Sequence, residues 1–93
     1  MTDPTIRYRR ANRVLWRQCS DGVLLLPAGS RRPLSLSGSG LALWLLLDEP
    51  CTVDATASSL AERYDVDAGE IARTLGPVLD ELVRLRVVEP VAG

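Results

Sequence analysis

The chain of 93 residues contains no His, no Lys and no Phe. His is the commonest general base and the commonest metal ligand, because its imidazole changes charge near neutral pH. Without His, and without another nucleophile paired with a base, hydrolytic and metal-assisted catalysis are disfavoured. The sequence therefore predicts a protein that is not an enzyme and that uses neither a cofactor nor a metal.

Cysteines are few, and a long apolar run is missing. Cys19 and Cys51 form no Cys-x-x-Cys pair, so neither a zinc site nor a thioredoxin-like motif is indicated. Two reduced thiols are expected, with one disulfide between them as the alternative. The longest apolar run, residues 41–47, is far shorter than the roughly 20 residues that span a bilayer, and no signal peptide opens the chain. We therefore expect a soluble, cytoplasmic protein.

Charge is divided unevenly along a chain whose net charge is only −1. Residues 1–36 carry seven Arg and two Asp, whereas residues 37–93 carry four Arg and ten carboxylates. Such asymmetry is typical of a protein with one face that attracts an anionic partner. The alternative is that the Arg side chains only solvate the outer face of a sheet.

The first half of the chain has the pattern of β-strands. Residues 14–17 and 23–26 are short β-prone runs, and the turn signal Ser20-Asp21-Gly22 separates them. Residues 32–36 alternate with period two, which places Leu34 and Leu36 on one face of a third strand. These runs predict a three-stranded antiparallel meander. Residues 6–10 either extend the first strand or belong to a loose arm that covers residues 1–10.

The second half has the pattern of three helices. The first is apolar nearly all round over residues 41–47, with Ser37 or Ser39 as its N-cap. Thr52 is predicted to cap a second helix over residues 53–63.

Asp67 is predicted to cap the third helix, whose apolar period continues to Leu85. Because an interior Pro costs about 3 kcal/mol, Gly76-Pro77 predicts a kink or a break within it. Residues 87–90 are expected to leave the helix as an extended tail. Three strands followed by three helices predict an α+β fold, with the helices on one face of a small sheet, in one domain over residues 1–93.

Several fragments of the sequence together resemble the PqqD family. The resemblance covers roughly residues 10–89, and its specificity lies in the order and spacing of the fragments within one short domain. The fragments are Arg-x-x-x-Val-Leu-Trp-Arg at 10–17, Asp-Gly-Val-Leu-Leu-Leu-Pro at 21–27, Leu-Ser-Gly-Ser-Gly-x-x-x-Trp-x-Leu-Leu-Asp at 36–48, Thr-Val-Asp at 52–54, Leu-Ala-Glu-Arg-Tyr-Asp-Val-Asp at 60–67 and Leu-Asp-Glu-Leu-Val-x-x-x-Val-Val-Glu at 79–89.

The resemblance implies a small winged-helix-like domain of the kind called a RiPP recognition element. Such a module is non-catalytic: it binds the leader segment of a ribosomally synthesised precursor peptide and presents it to a separate modifying enzyme. The implied partners are that peptide and an enzyme such as a radical SAM or cyclase-type maturase, without nucleic acid or membrane. A homodimer is left open. Two departures from the family pattern, Arg86 in place of a Gly and the pair Gly76-Pro77, concern the shape of the binding site.

By analogy with the family, the leader is added as a strand to the exposed third strand, in the groove beside the last helix. Pro33 has no N–H, so we expect its nitrogen to face outward, and Ser35 then faces the same way with both N–H and C=O free. For the apolar members of the candidate set, ordinary core packing is the alternative. The candidate peptide-binding residues are Arg31, Arg32, Pro33, Leu34, Ser35, Leu36, Leu75, Val78, Leu79 and Leu82.

Two further points are weighed in the sequence. Trp44 is expected in the core, whereas Trp16 either packs on the inner face of the sheet or is exposed. The rival function is DNA binding by a winged helix-turn-helix. It is disfavoured because the second and third helices begin with Val53-Asp54 and Ala68-Gly69-Glu70 instead of basic or amide side chains that read bases.

Overall fold

The computed structural model describes residues 6–91, which form six strands and three helices. In chain order these elements are β1 Arg7–Arg10, β2 Leu15–Cys19, β3 Gly22–Leu26, β4 Leu34–Ser37, α1 Ser39–Leu46, β5 Cys51–Thr52, α2 Val53–Tyr64, α3 Ala68–Arg84 and β6 Val88–Val91. No helix within this part of the chain is long and apolar enough to cross a membrane. Both cysteines are free thiols, so the alternative of a disulfide is wrong.

The predicted meander is present as the antiparallel sheet β2-β3-β4. Its register pairs Leu25 of β3 with Trp16 of β2 and with Leu34 of β4. Since side chains alternate across a strand, Val23 and Leu25 enter the core while Leu24 stays on the outer face. The strand β3 is central, and β2 and β4 are the two edges of this sheet.

A second antiparallel sheet, β5-β1-β6, joins the two ends of the chain and was not predicted. Residues 7–10 neither extend the first predicted strand nor form a loose arm, because β1 pairs with β6 along its whole length. The remainder of the predicted arm, residues 1–5, lies outside the described residues. An ion pair of 2.6 Å between Arg9 and Glu89 bridges β1 and β6. The predicted extended tail at residues 87–90 is therefore largely strand β6.

The helix starts follow the predicted capping in two cases out of three. The Thr52 hydroxyl accepts from the Ala55 N–H at 3.2 Å at the start of α2. A carboxylate oxygen of Asp67 accepts from the Glu70 N–H at 3.0 Å at the start of α3. Each cap contributes about 1 kcal/mol. At α1 the prediction is wrong, because the N-cap is Gly38 with a positive φ of 55° and no side chain caps the helix.

The helix α3 is continuous through Gly76 and Pro77, so the predicted break is absent. Pro77 lacks an N–H, so it donates no hydrogen bond to the carbonyl one turn earlier in the helix. Because Pro77 lies on the exposed face, that carbonyl is open to solvent. Gly76 has no Cβ, and this removes one of the clashes that normally keep the residue before a Pro out of the helical region. The pairing of Gly with Pro thus allows a helix of 17 residues to continue.

The core lies between the β2-β3-β4 sheet and the helices, and it is centred on Trp44 of α1. Trp44, Leu25 and Leu79 are completely buried, as the prediction for Trp44 required. Trp16 is half-exposed yet contacts Trp44 edge to face, with ring centroids 5.9 Å apart. Trp16 therefore packs at the border of the core and has one side in solvent, which combines the two predicted alternatives.

Arg10 of β1 contacts both rings of this aromatic pair and the C-terminal end of α1. Its guanidinium carbon lies 4.7 Å from the ring centroid of Trp16 and 5.1 Å from that of Trp44. Its Nε donates to the Trp44 carbonyl at 3.0 Å, near the C-terminus of α1 where backbone carbonyls lack helical partners. A cationic side chain at this position is favoured both by the helix dipole and by the ring faces.

Candidate functional site

The strand β4 has one free edge. It pairs with β3 on one side, and on the other side its backbone meets no strand among residues 6–91. The side chains of Ser35 and Ser37 are exposed, whereas Leu34 and Leu36 are half-buried and pack against the core. The edge carries neither a charged side chain nor a bulge that would block pairing with another chain.

The register is compatible with the predicted orientation of Pro33 and Ser35. Ser35 lies opposite Leu24 of β3, and Leu34 and Leu36 lie opposite Leu25 and Val23. In an antiparallel ladder the residues of one strand direct their N–H and C=O alternately to the two sides. If Leu34 and Leu36 bond to β3, the N–H and C=O of Ser35 face the free edge, and this orientation remains a prediction.

The predicted contact residues on α3 differ in exposure. Leu75, Leu79 and Leu82 belong to the buried core, and Leu79 has no exposed surface at all. Val78 is 41% exposed. Leu79 and Leu82 thus pack α3 against the core. Val78 is the predicted contact residue on this helix whose side chain is accessible to a peptide.

An apolar cleft lies where β4 ends and α1 begins, beside the N-terminal half of α3. Its volume is about 380 Å³, near the lower end of the roughly 300–1,000 Å³ found for small-ligand pockets. We call it the apolar cleft. Its lining residues come from α1, the end of α2, the α2–α3 connection and α3: Ser39, Gly40, Leu43, Leu60, Tyr64, Val66, Glu70, Ile71, Thr74, Leu75 and Val78.

Most of the apolar cleft was missed in the sequence, where only Leu75 and Val78 were named. Tyr64 and Val66 are both nearly half-exposed although they are large and apolar. Val66 lies between two polar residues in a helix connection, outside the apolar period of either helix. An apolar residue in such a short polar connection is the signal that could have indicated this surface.

A second cleft lies at the opposite end of β4, where the chain enters this strand beside the C-terminal end of α3. We call it the basic cleft. Three of its lining residues are arginines, and no Asp or Glu lines it: Pro27, Ala28, Gly29, Ser30, Arg32, Pro33, Leu34, Arg84, Leu85 and Arg86. Arg31, which was predicted with Arg32, is exposed but lines neither cleft.

The turn after α3 places Arg86 at the basic cleft in a left-handed conformation. The Val87 N–H donates to the Leu82 carbonyl at 3.2 Å, and the Arg86 N–H to the Val83 carbonyl at 3.0 Å. This pair of bonds is the Schellman motif, whose left-handed position is usually Gly. Arg86 has a φ of 66°, which costs about 1–2 kcal/mol relative to Gly. Arg86 therefore occupies the position that Gly usually takes in a Schellman turn, and the turn itself has the usual hydrogen bonds.

One of the three arginines of the basic cleft is paired with a carboxylate of this protein. The Nη2 of Arg84 donates to both carboxylate oxygens of Glu81, at 2.8 and 2.6 Å, and these hydrogen bonds and the charge of Glu81 raise the pKa of Arg84. Among residues 6–91, no group of three His, Cys, Asp or Glu side chains is placed to hold a metal ion. A strand edge, an apolar cleft and a cationic cleft together can bind an extended peptide.

Comparison with known proteins agrees with this geometry. The family model described as "Coenzyme PQQ synthesis protein D (PqqD)" matches residues 22–88. The sequence matches no protein in the curated set.

Two solved structures share the fold. One is the solution NMR structure of the PqqD truncation of Methylobacterium extorquens PqqCD, described as a functional and stand-alone RiPP recognition element. It is 28% identical, covers 89% of this chain and 88% of its own, and has a TM-score of 0.73. The other is TbiB1 in complex with the TbiA(beta) leader peptide, which is 23% identical, covers 87% and 94%, and has a TM-score of 0.78. The second likeness shows the fold alone. With a family model that matches most of the chain, this protein belongs to the PqqD family.

Proposed function

We propose that this protein is a RiPP recognition element that binds the leader segment of a precursor peptide and presents it to a separate modifying enzyme. The leader is added as a strand to the free edge of β4, in the groove that this edge forms with α3. The observation that carries the proposal is the unpaired edge of β4, with a cleft beside α3 at each of its ends.

The likeness to known proteins supports the same function. The Methylobacterium extorquens domain, which covers nearly the whole of this chain, is described as a recognition element that functions alone. TbiB1 has the same fold and was solved with a leader peptide bound. Strand addition to an exposed sheet edge is a common mode of peptide recognition: the backbone supplies affinity, and pockets beside the edge supply specificity.

Simple magnitudes indicate which contacts set the affinity. Each backbone hydrogen bond to the free edge contributes a net free energy of about 0.5–1.5 kcal/mol. Burying one large apolar side chain of the peptide in the apolar cleft contributes about 1.5–3 kcal/mol. Filling that cleft at Val78 and Ile71 therefore selects among peptides, whereas pairing with Ser35 fixes the register. Leu34 and Leu36 support the edge from the core side, and Leu75 forms part of the cleft wall.

The proposed partner is a maturase, such as a radical SAM or cyclase-type enzyme, and the binding module itself has no catalytic role and no cofactor. We place both in the cytoplasm, where the ribosome makes the precursor. Winged helix-turn-helix DNA binding is not proposed, because the exposed starts of α2 and α3 carry Asp54 and Glu70, which repel phosphate.

The backbone prediction for β4 can be tested with peptides selected from a random 12-residue phage-displayed library on the immobilised full chain. Titration of the ¹⁵N-labelled protein with a selected peptide should shift the amides of β4, of residues 71–76 and of Val78. The Ser35→Pro substitution should leave the free protein folded and weaken binding by about 2- to 12-fold, the equivalent of one hydrogen bond. Ser35→Ala keeps the backbone N–H and is the matched control, with unchanged affinity.

A selection that yields no peptide shifting β4 amides would contradict the proposal. A Ser35→Pro variant that unfolds would contradict the orientation alone: it would show that the Ser35 N–H bonds to β3, so that the backbone groups of Leu34 and Leu36 face the free edge instead.

A further inference from the structure

We infer that the peptide bound at β4 carries carboxylate side chains that occupy the basic cleft, C-terminal to the apolar residue that fills the apolar cleft. This inference rests on the proposed function and goes beyond it by specifying the chemistry of the peptide and the order of its two anchors.

The basic cleft has positive charge that the protein itself does not neutralise. Arg84 is paired with Glu81 at 2.6 Å. Arg32 and Arg86 form no ion pair with any of residues 6–91. The backbone N–H of Arg32 donates to the Ser30 hydroxyl within the loop, and this bond leaves the guanidinium group unused. Two Arg residues without ion-pair partners among residues 6–91, one before β4 and one after α3, line the same cleft. A carboxylate can accept two parallel hydrogen bonds from an Arg.

The conformation of Arg86 is an independent reason to assign a binding role to its side chain. This residue occupies the left-handed position of the Schellman turn, where Gly is free of strain. Its side chain is exposed and makes no hydrogen bond within residues 6–91 that would compensate the free protein for that strain. Strained backbone conformations cluster at functional sites.

The order of the two anchors follows from the direction of β4. This strand runs from the basic cleft at Pro33 toward the apolar cleft beyond Ser37. The strands of this sheet all pair antiparallel, and antiparallel pairing is slightly more stable per residue. An antiparallel peptide therefore reaches the apolar cleft with its N-terminal part. Four residue steps separate Ser37 from Pro33, or roughly 13 Å, so its carboxylates follow the apolar anchor by at least about four positions.

The test uses the same random 12-residue library on the immobilised full chain at low salt. Selected peptides should be enriched in Asp and Glu about four to six positions after an apolar residue. Their affinity should fall by about 1.5- to 5-fold in Arg86→Gly and on raising the salt concentration, as expected for exposed ion pairs. Arg86→Lys should retain most of the affinity because it keeps the charge.

Arg86→Gly separates a binding role from a structural one, because its two effects should have opposite signs. The variant should unfold at a higher urea concentration than the wild type, since Gly relieves the left-handed strain, while it binds the peptide more weakly. The same substitution at Arg13, an exposed Arg that lines neither cleft, is the matched control and should leave affinity unchanged.

The outcomes distinguish this inference from the function on which it rests. Selected peptides that shift β4 amides but lack the acidic enrichment, or that bind Arg86→Gly as tightly as wild type, overturn the inference and leave the proposed function standing. A selection in which no peptide shifts β4 amides overturns both.

Discussion

The pairing of β3 with β4 depends on the absence of a side chain at Gly22. A Cβ built at this position overlaps the carbonyl oxygen of Leu36 and lies 3.1 Å from the Leu36 carbonyl carbon and 3.2 Å from the Ser37 Cα. All three are backbone atoms, so no side-chain rotation can relieve the overlap. The substitution Gly22→Ala must therefore separate the two strands at the end of β4 nearest the apolar cleft.

The cost can be worked from these contacts. Forcing packed backbone apart costs about 1–3 kcal/mol, and losing one ladder hydrogen bond adds about 0.5–1.5 kcal/mol. Gly22→Ala should therefore lower the free energy of unfolding by about 1.5–4.5 kcal/mol, out of a total of roughly 5–14 kcal/mol for a chain of this length. It should also weaken peptide binding, because the displaced edge no longer presents its backbone beside α3.

Urea unfolding followed by far-UV circular dichroism measures the change in stability without depending on the two Trp side chains. Gly29→Ala is the matched control: its φ is +76° and its Cβ would meet nothing within 4 Å, so it should cost only the left-handed strain of about 1–2 kcal/mol. If Gly22→Ala is no more destabilising than Gly29→Ala, the close approach of β3 and β4 does not limit the fold and the reasoning fails.

Two further predictions concern α3 and the second sheet. Pro77→Ala should raise the free energy of unfolding by about 1–3 kcal/mol, because an exposed interior Pro is replaced by a residue that can bond the preceding turn; an unchanged urea midpoint would refute this. Burial, and secondarily the carboxylate of Asp80, raises the pKa of Tyr8 above its ordinary 10.0. Tyr8 therefore stays protonated to a higher pH in the folded state than in the unfolded chain. Its contribution to stability is fully present below pH 10 and is lost as the pH rises through the pKa of the folded state. Tyr8→Phe should lack this alkaline loss, and equal slopes of stability against pH in the two proteins would contradict the assignment.

Features that depend on nearby residues were predictable from the sequence. The period-two pattern of Leu34 and Leu36 indicated the strand β4 and its inner face, and Thr52 and Asp67 indicated the starts of α2 and α3. Each of these signals acts within a few residues, through hydrogen bonds or side-chain alternation that no distant contact overrides. The prediction of a Ser N-cap for α1 failed for an equally local reason. The N-cap position has a positive φ, which Gly38 adopts without strain and which Ser does not favour.

The candidate site was only partly predictable. The free edge at Ser35 followed from the order of the three strands, and the resemblance of the sequence to the PqqD family indicated the same strand. The clefts did not follow, because Tyr64 and Val66 come from a helix connection and Arg86 from the turn after α3. The sequence also did not indicate which apolar residues of α3 are accessible to a peptide. Val78 and Leu79 are neighbours in one apolar helix pattern, but Val78 is 41% exposed and Leu79 is fully buried.

The sequence by itself determined a strand-rich basic half, a helical acidic half, a buried Trp44 and a short edge strand of alternating pattern, because composition and local period specify these directly. The tertiary structure alone decided that β1 pairs with β6, with the bonded Arg9 and Glu89 80 residues apart. It also decided that Arg32 and Arg86 share one cleft. No local pattern encodes such contacts, since they form only when the packing of α3 against the core brings distant segments together.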